Sequence, residues 1–381
     1  SRANSLYPRA KTMSATKDYG RLFNFSAGPA VMPVSVLERM RDELLCLPGV
    51  GSSILEISHR SKAFDAILDR TIDDLKQLLG IPAGYSILFL QGGSRLQFSM
   101  VPMNLLRDSG RTAQYVITGT WGKSALVEAV KEGKTEVLWD GKGGNYSQLP
   151  RWSDVNVSPE AAYLHVTSNE TIQGIQFHDD PTGVAAPVVS DMSSDFLSRP
   201  VDVSQYGLIY ACAQKNAGPA GVTVVIIRDD LLARGAESMP GYLLYRNHAE
   251  GKSCYNTPPT FAIYAMGLIV RWLLDDIGGL GKMAEANRSK AALLYDAIDR
   301  FPAFYQGHAE KSVRSMMNVT FRLPNEELEG AFLSEAKKAG CTDLKGHRSV
   351  GGIRASIYNA MPREGVETLA SLMTAFAERH G

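Results

Sequence analysis

The run 208–212 is apolar throughout, the short run at 188–191 opens apolar and ends in the carboxylate of Asp191, and a third, 222–227, follows a turn rich in Gly and Pro. Apolar residues at successive rather than alternate positions predict strands buried on both faces, the middle of a sheet covered by helices. Shorter runs predict strands at 85–90, 115–118, 136–139 and 162–167, and an extended segment at 54–58. Between them the period changes to that of a helix. Pro33 opens one helix, with Leu37, Met40, Leu44 and Leu47 on one face. Phe64, Leu68, Ile72, Leu75 and Leu79 mark a second, stopped by Gly80 and Pro82. Another helical pattern follows Arg95, and a further one covers 124–132. Strands alternating with helices predict an α/β fold, a large domain whose mainly parallel mixed sheet is wrapped by helices.

Beyond Ile227 the texture changes. Long helical patterns at 260–274 and 280–298 are separated by Gly278-Gly279, then come a strand at 317–323, a helix at 326–339, an edge strand at 354–357 and a closing helix at 363–379. This predicts a smaller α+β C-terminal domain at 278–381 after a large domain at 21–277, with 21–35 packing on the small domain.

Composition narrows the classes. With 381 residues, 44% hydrophobic and 21% charged, the chain is that of an ordinary globular protein of two or three domains. Forty Lys and Arg against forty Asp and Glu give no overall field for nucleic acid or a membrane, so any anion site must be a local cluster. The longest apolar stretch, 262–274, is broken by Arg271 and is too short to span a bilayer. Cys46, Cys212, Cys254 and Cys341 are scattered without a C-x-x-C pair, which argues against a metal site and a disulfide framework and fits a cytoplasmic location. Residues 1–20 fit a tag, an organelle transit remnant or a disordered native arm. The absence of Met at position 1, with Met13 inside, favours a tag ahead of a native start.

The candidate chemistry begins with Asp191 and Lys215, each at the end of an apolar strand, the rim where open α/β sheets bind ligands. A lone Lys in a Gly-rich turn is usually a solvated charge. A ligand that needs both groups is pyridoxal phosphate: its aldehyde requires an amine, and its ring nitrogen requires an acid. Gln91-Gly-Gly-Ser94-Arg95, between strand and helix, has the glycines, hydroxyl and guanidinium of a phosphate cradle, although a plain tight turn explains it equally well. Gly119-Thr-Trp-Gly122-Lys123-Ser124 has the wrong spacing for a Walker loop, and no G-x-G-x-x-G follows a strand, which weakens a nucleotide reading. Trp121, just past a strand end, offers a flat face for a pyridine ring. His59-Arg60, His347-Arg348 and Arg354 together suit a substrate with several anionic groups. Asn256-Thr257, before a helix, is polar enough for phosphate.

From Phe23 to Gly381 the chain resembles the phosphoserine aminotransferase family, class V aminotransferases of the pyridoxal phosphate fold type I. The resemblance rests on Ser26-Ala-Gly-Pro29, Ser58-His-Arg60, Gly92-Gly-Ser-Arg95, Asn169-Glu-Thr171-Ile-Gln-Gly174, Asp191-Met-Ser-Ser, Gln214-Lys215-Asn-Ala-Gly-Pro-Ala-Gly221, Tyr255-Asn-Thr257 and Lys345-Gly-His-Arg348 through Arg354 to Pro362. It implies amino transfer between phosphoserine and 2-oxoglutarate, in serine biosynthesis, with 4-phosphohydroxythreonine in pyridoxine biosynthesis left open. By resemblance Lys215 forms the Schiff base and moves the proton, Asp191 holds the pyridinium, Trp121 stacks on the ring and Thr171 lies near the ring hydroxyl. Ser94, Arg95 and Gln214 hold the cofactor phosphate, with Asn256 and Thr257 reaching across from a second subunit of a homodimer whose sites lie at the interface. Arg354 takes the substrate α-carboxylate. His59, Arg60, His347 and Arg348 take the phosphate of phosphoserine or the distal carboxylate of glutamate. Ala27, Ser94, Leu96 and Cys212 depart from residues common in the family. The alternatives are another class V enzyme, an alanine–glyoxylate aminotransferase or a cysteine desulfurase, or a non-catalytic nucleotide-binding module.

Overall fold

The computed structural model describes residues 19–381, so the expectation for 1–18 lies outside the described residues. At its centre a seven-stranded sheet runs Tyr85–Leu90, Thr223–Arg228, Leu208–Cys212, Val188–Asp191, Tyr163–Thr167, Thr112–Ile117 and Lys134–Asp140. Neighbours pair in parallel from Leu208–Cys212 to Lys134–Asp140. Thr223–Arg228 is antiparallel to both of its neighbours. The inner strands are buried on both faces, as their apolar runs predict, whereas the edge strand Lys134–Asp140 is largely exposed. Ile87 and Phe89 enter one core with the helices Val34–Leu44, Lys62–Leu79 and Thr260–Trp272, while Leu88 and Leu90 enter the other with Gly93–Leu105 and Thr120–Ala129.

This layering places chemistry at one rim. Five strands that run in one direction end at Leu90, Ile117, Thr167, Asp191 and Cys212, the first separated from the rest by the antiparallel Thr223–Arg228. The loops leaving those ends carry Gln91–Arg95, Trp121, Thr171 and Lys215, the edge at which open parallel sheets take ligands.

Three local expectations are corrected. Residues 54–57 form a turn rather than an extended segment. There the Glu56 carboxylate accepts from the Ser53 N–H at 2.9 Å, a local bond that competes with strand pairing. The helix expected at 124–132 spans Thr120–Ala129, so Trp121 lies in its first turn. The helix that starts at Thr260 is α-helical only to Trp272 and closes with one π turn, Leu273–Ile277, before left-handed Gly278.

Toward the C-terminus the strands Gln306–Gly307, Asn318–Arg322 and Ile353–Ser356 form an antiparallel sheet. Phe321, Phe332 and Phe376 pack in a separate apolar cluster that also takes in Phe25 and Val31. Phe23–Asn24 pairs in parallel with Cys341–Thr342, which ties the start of the described chain to this region. Among the described residues no helix is long and apolar enough to cross a membrane.

One buried cation organises the loop after Arg354. Lys290 Nζ donates to the carbonyls of Ile357, Tyr358, Asn359 and Met361 at 2.6–3.2 Å. Burial lowers its pKa to about 7. Lys290→Met would strand four carbonyl oxygens without their donor, and hydrogen bonds to a charged group contribute about 1.5–3 kcal/mol each without adding fully. The expected loss is about 3–5 kcal/mol, read as the shift of the urea midpoint; a change below about 1 kcal/mol would contradict this role.

Candidate active site

The rim residues enclose a cavity of about 340 Å³. Of the residues singled out from the sequence, Ser94, Arg95, Trp121, Thr171, Asp191, Gln214, Lys215, His347 and Arg354 all line it. A second cavity of about 340 Å³ adjoins it and shares Ile172, His347 and Arg354. Five expected residues line neither: His59, Arg60, Asn256, Thr257 and Arg348. Arg60, Thr257 and Arg348 are exposed. Asn256 and Thr257 sit at the edge of the phosphate-cradle loop, where Gln91 Nε2 donates to the Thr257 carbonyl at 3.1 Å and Asn256 Nδ2 donates to Gln91 Oε1 at 3.4 Å.

Lys215 lies in the turn joining two antiparallel strands, where Ala213 N–H donates to Val222 O at 3.0 Å. Its Nζ donates to Thr171 Oγ1 at 2.8 Å and stands 5.8 Å from the centroid of Trp121. The N-terminal loop closes over it: Ala30 N–H donates to Gln214 O at 2.8 Å, and a Cβ on Gly28 would lie 3.4 Å from Lys215 Cγ. Ala27, whose carbonyl accepts from Tyr358 Oη at 2.6 Å, lines the cavity beside it.

Asp191 is buried, paired in register with Thr167 and Tyr210. Ser193 holds it through its N–H at 2.9 Å and its hydroxyl at 2.5 Å, both to Oδ1, which leaves Oδ2 for a donor in the cavity. Burial raises the Asp191 pKa, while the Ser193 bonds and the Lys215 charge pull it down. The Ser193 hydroxyl also meets Ser94 Oγ at 2.6 Å, so one hydroxyl links the carboxylate to the cradle.

The cradle is the N-terminus of the Gly93–Leu105 helix, which has no side-chain cap. Gly92 there adopts φ 89°, and a Cβ on it would meet Leu96 at 2.6 Å, so the turn requires glycine. The uncapped N–H groups, Ser94 and the Arg95 guanidinium, 5.4 Å from the Trp121 ring, make a site for a phosphate. Two buried polar atoms of the lining, Thr167 Oγ1 and Trp121 Nε1, have no partner among the described residues. An amine, an acid, an indole and an uncapped helix end in one cavity fit a flat phosphorylated pyridine aldehyde.

Arg354 and Arg95 form no ion pair among the described residues, and neither do Arg60 and Arg348. Burial lowers the Arg354 pKa, yet a guanidinium remains charged and suits a carboxylate. His347 Nδ1 accepts from the Ser349 N–H at 3.2 Å, which assigns the proton of the neutral ring to Nε2. Burial, then Arg354 and Arg348, lower the His347 pKa.

Sequence reasoning passed over Ser193 and Glu170. The Asp-x-Ser spacing after a strand was the available signal for the first. No local pattern marks the second, whose partners lie 48 and 49 positions away.

The family model for aminotransferase class V matches residues 22–369. A phosphoserine aminotransferase of Rhodopirellula baltica is 56% identical over 94% of this chain and 96% of its own. The solved phosphoserine aminotransferase of Bacillus circulans subsp. alkalophilus superposes with a TM-score of 0.92 at 48% identity, over 95% of this chain and all of that one. That of Trichomonas vaginalis, determined with pyridoxal phosphate bound, gives 0.87 at 39% identity, over 93% of this chain and 99% of that one.

Proposed function

This chain belongs to the aminotransferase class V family, and on that footing we infer reversible amino transfer between O-phospho-L-serine and 2-oxoglutarate. The products are 3-phosphohydroxypyruvate and L-glutamate, the cofactor is pyridoxal phosphate, and the step belongs to serine biosynthesis. The fold is that of the fold type I aminotransferases. The observation that carries the reading is the convergence of Lys215 and Asp191 in one cavity at the ends of parallel strands.

When bound, pyridoxal phosphate supplies an aldehyde for an amine and a protonated ring that accepts the electron pair left as the substrate α-proton departs. In our reading Ser94, Arg95, Gln214 and the uncapped helix end hold its phosphate, Trp121 covers one ring face, and Asp191 keeps the ring nitrogen protonated. Lys215, aimed by Thr171, takes the α-proton and returns it. Arg354 takes the α-carboxylate. His347 and Arg348, with His59 and Arg60, receive a phosphate or a carboxylate alike, because cationic donors do not demand one anion shape.

The family resemblance supports a homodimer in which Asn256 and Thr257, which lie beside the cradle loop and bond to Gln91, complete the partner's cradle. The separate apolar clusters support a large domain at 21–277 and a small one at 278–381 joined by 21–35, except that Leu280 and Met283, past that boundary, pack in the large-domain cluster. Four unpaired cysteines support a reducing, cytoplasmic setting.

An amino-donor survey with 2-oxoglutarate as acceptor tests the reaction: phosphoserine should exceed every unphosphorylated amino acid other than glutamate. A preference for alanine with glyoxylate would overturn it. Arg348→Ala should raise the KM for phosphoserine about 10–100-fold with kcat little changed, because the lost contact forms in ground and transition states alike. Half-reactions with phosphoserine and glutamate that both run at the parental KM would remove Arg348 from the substrate site.

A further inference from the structure

The hairpin Asn169–Glu170 to Ile175–Gln176 holds two parts of the site that are distant in sequence. Thr171 accepts the Lys215 amine. Glu170, with no exposed surface, points the other way, into the first turn of the Thr120–Ala129 helix. Its Oε2 accepts from the Trp121 N–H at 3.1 Å and its Oε1 from the Gly122 N–H at 3.0 Å. Gln173 completes the clamp through Thr120, whose Oγ1 accepts from its Nε2 at 3.0 Å. The helix has no side-chain cap of its own, because its N-cap is Gly119. That glycine is required: a Cβ there would lie 2.6 Å from the Glu170 carboxyl carbon. A buried carboxylate therefore does the work of the cap, and the residue whose backbone it grips is the one whose indole lines the cavity.

We propose that Glu170 is a positioning residue whose charge state sets the plane of the Trp121 indole and so the grip on the cofactor ring. This rests on the reading of Trp121 as the ring-covering residue and adds a proton-linked control to it. As a carboxylate, Glu170 accepts both N–H groups, one on each oxygen. As a carboxylic acid it turns one oxygen into a hydroxyl that faces an N–H, so one of the two bonds is lost and the first turn loosens. Burial raises the Glu170 pKa to about 7 against the pull of the two N–H groups, with Asp191 raising it further and Lys215 lowering it. Tyr146, on the loop after Gly141–Gly144, is the other titratable group that senses the Glu170 charge. The sign follows. The grip is tight above about pH 7 and loosens below it, and the stability cost of the buried charge grows as pH rises toward that value.

Glu170→Gln imitates the protonated form at every pH. In the parent, pyridoxal phosphate should dissociate about tenfold more readily at pH 6 than at pH 8. In Glu170→Gln it should dissociate at both pH values as the parent does at pH 6, and the visible circular dichroism of the bound cofactor should lose its pH dependence. Because the variant removes a buried charge, its Tm at pH 8 should stay level or rise. A merely structural cap would instead lower Tm and weaken binding equally at both pH values, and that result overturns the proposal, as does a parental pH profile in the variant. Trp121→Ala separates the two layers. If it leaves cofactor affinity and circular dichroism unchanged, the ring-covering reading of Trp121 fails and this inference falls with it. If Trp121→Ala weakens both and Glu170→Gln then adds nothing in that background, Glu170 acts through the indole; a full additional loss there overturns that route.

Discussion

Lys215→Ala should lower transamination by at least about four orders of magnitude, and it should do so in both half-reactions. Lys215 is the one lysine among the described residues lining the cavity, and no other side chain offers an amine to the aldehyde. Its position is set from three sides: Thr171 Oγ1 accepts a hydrogen bond from Nζ, Gly28 lies against Cγ, and the Gln214 carbonyl is tied to Ala30. The variant should keep its fold, since the lysine lies in a turn and buries no large apolar surface. Single-turnover absorbance with phosphoserine, at enzyme in excess, is the appropriate measurement because it excludes trace parental enzyme. Added methylamine should restore a small part of the rate by entering the space the side chain leaves. Parental turnover in Lys215→Ala would end the assignment of the amine, and with it the whole reading of the cavity.

What the primary structure discloses, and what it does not, divides along a physical line. Asp191 and Lys215 are legible because each terminates a run apolar on both faces, and such runs can lie only in the middle of a covered sheet, where the strand ends meet one rim. Gln91–Arg95 is legible as a turn and becomes a cradle only when the helix it opens proves to be uncapped. Trp121 illustrates the limit. Propensity alone places the helix start near Ser124, because Gly119 and Gly122 are poor helix formers. The observed start at Thr120 depends on acceptors supplied by Glu170 and Gln173, from a hairpin about fifty residues onward. Ser193 is hidden for a similar reason: its hydroxyl matters through Ser94, which is 99 positions away. His59, Arg60, Arg348, Asn256 and Thr257 stand out only by residue type and family resemblance, and the fold of their own chain leaves them outside both cavities.

The second large effect belongs to Asp191, whose substitution separates charge from shape. Asp191→Asn keeps the volume and planar shape of the group but replaces one acceptor oxygen by a donor NH2 and removes the negative charge. The bonds from Ser193 to Oδ1 can survive as bonds to the amide oxygen, so the strand end and the Ser94 link should persist. The loss is electrostatic: in a buried site a carboxylate stabilises a protonated ring far more than it would in water, and an amide cannot replace that. We expect kcat to fall about a thousandfold, the upper end for removal of one such stabilising group, with phosphoserine KM nearly unchanged. The pH response gives an independent check. Burial raises the Asp191 pKa above the ordinary carboxylate value, so the parent should lose activity on the acid side as the carboxylate takes up its proton. Asp191→Asn has no carboxylate to protonate and should lack the part of that limb due to this residue. Asp191→Ala loaded with an N-methylated cofactor, whose ring carries its charge without an acid, should regain part of the lost rate. If that analogue gives nothing while Asp191→Asn retains parental kcat, Asp191 serves only to pin Ser193, and the electron demand at the ring must be met elsewhere in the cavity.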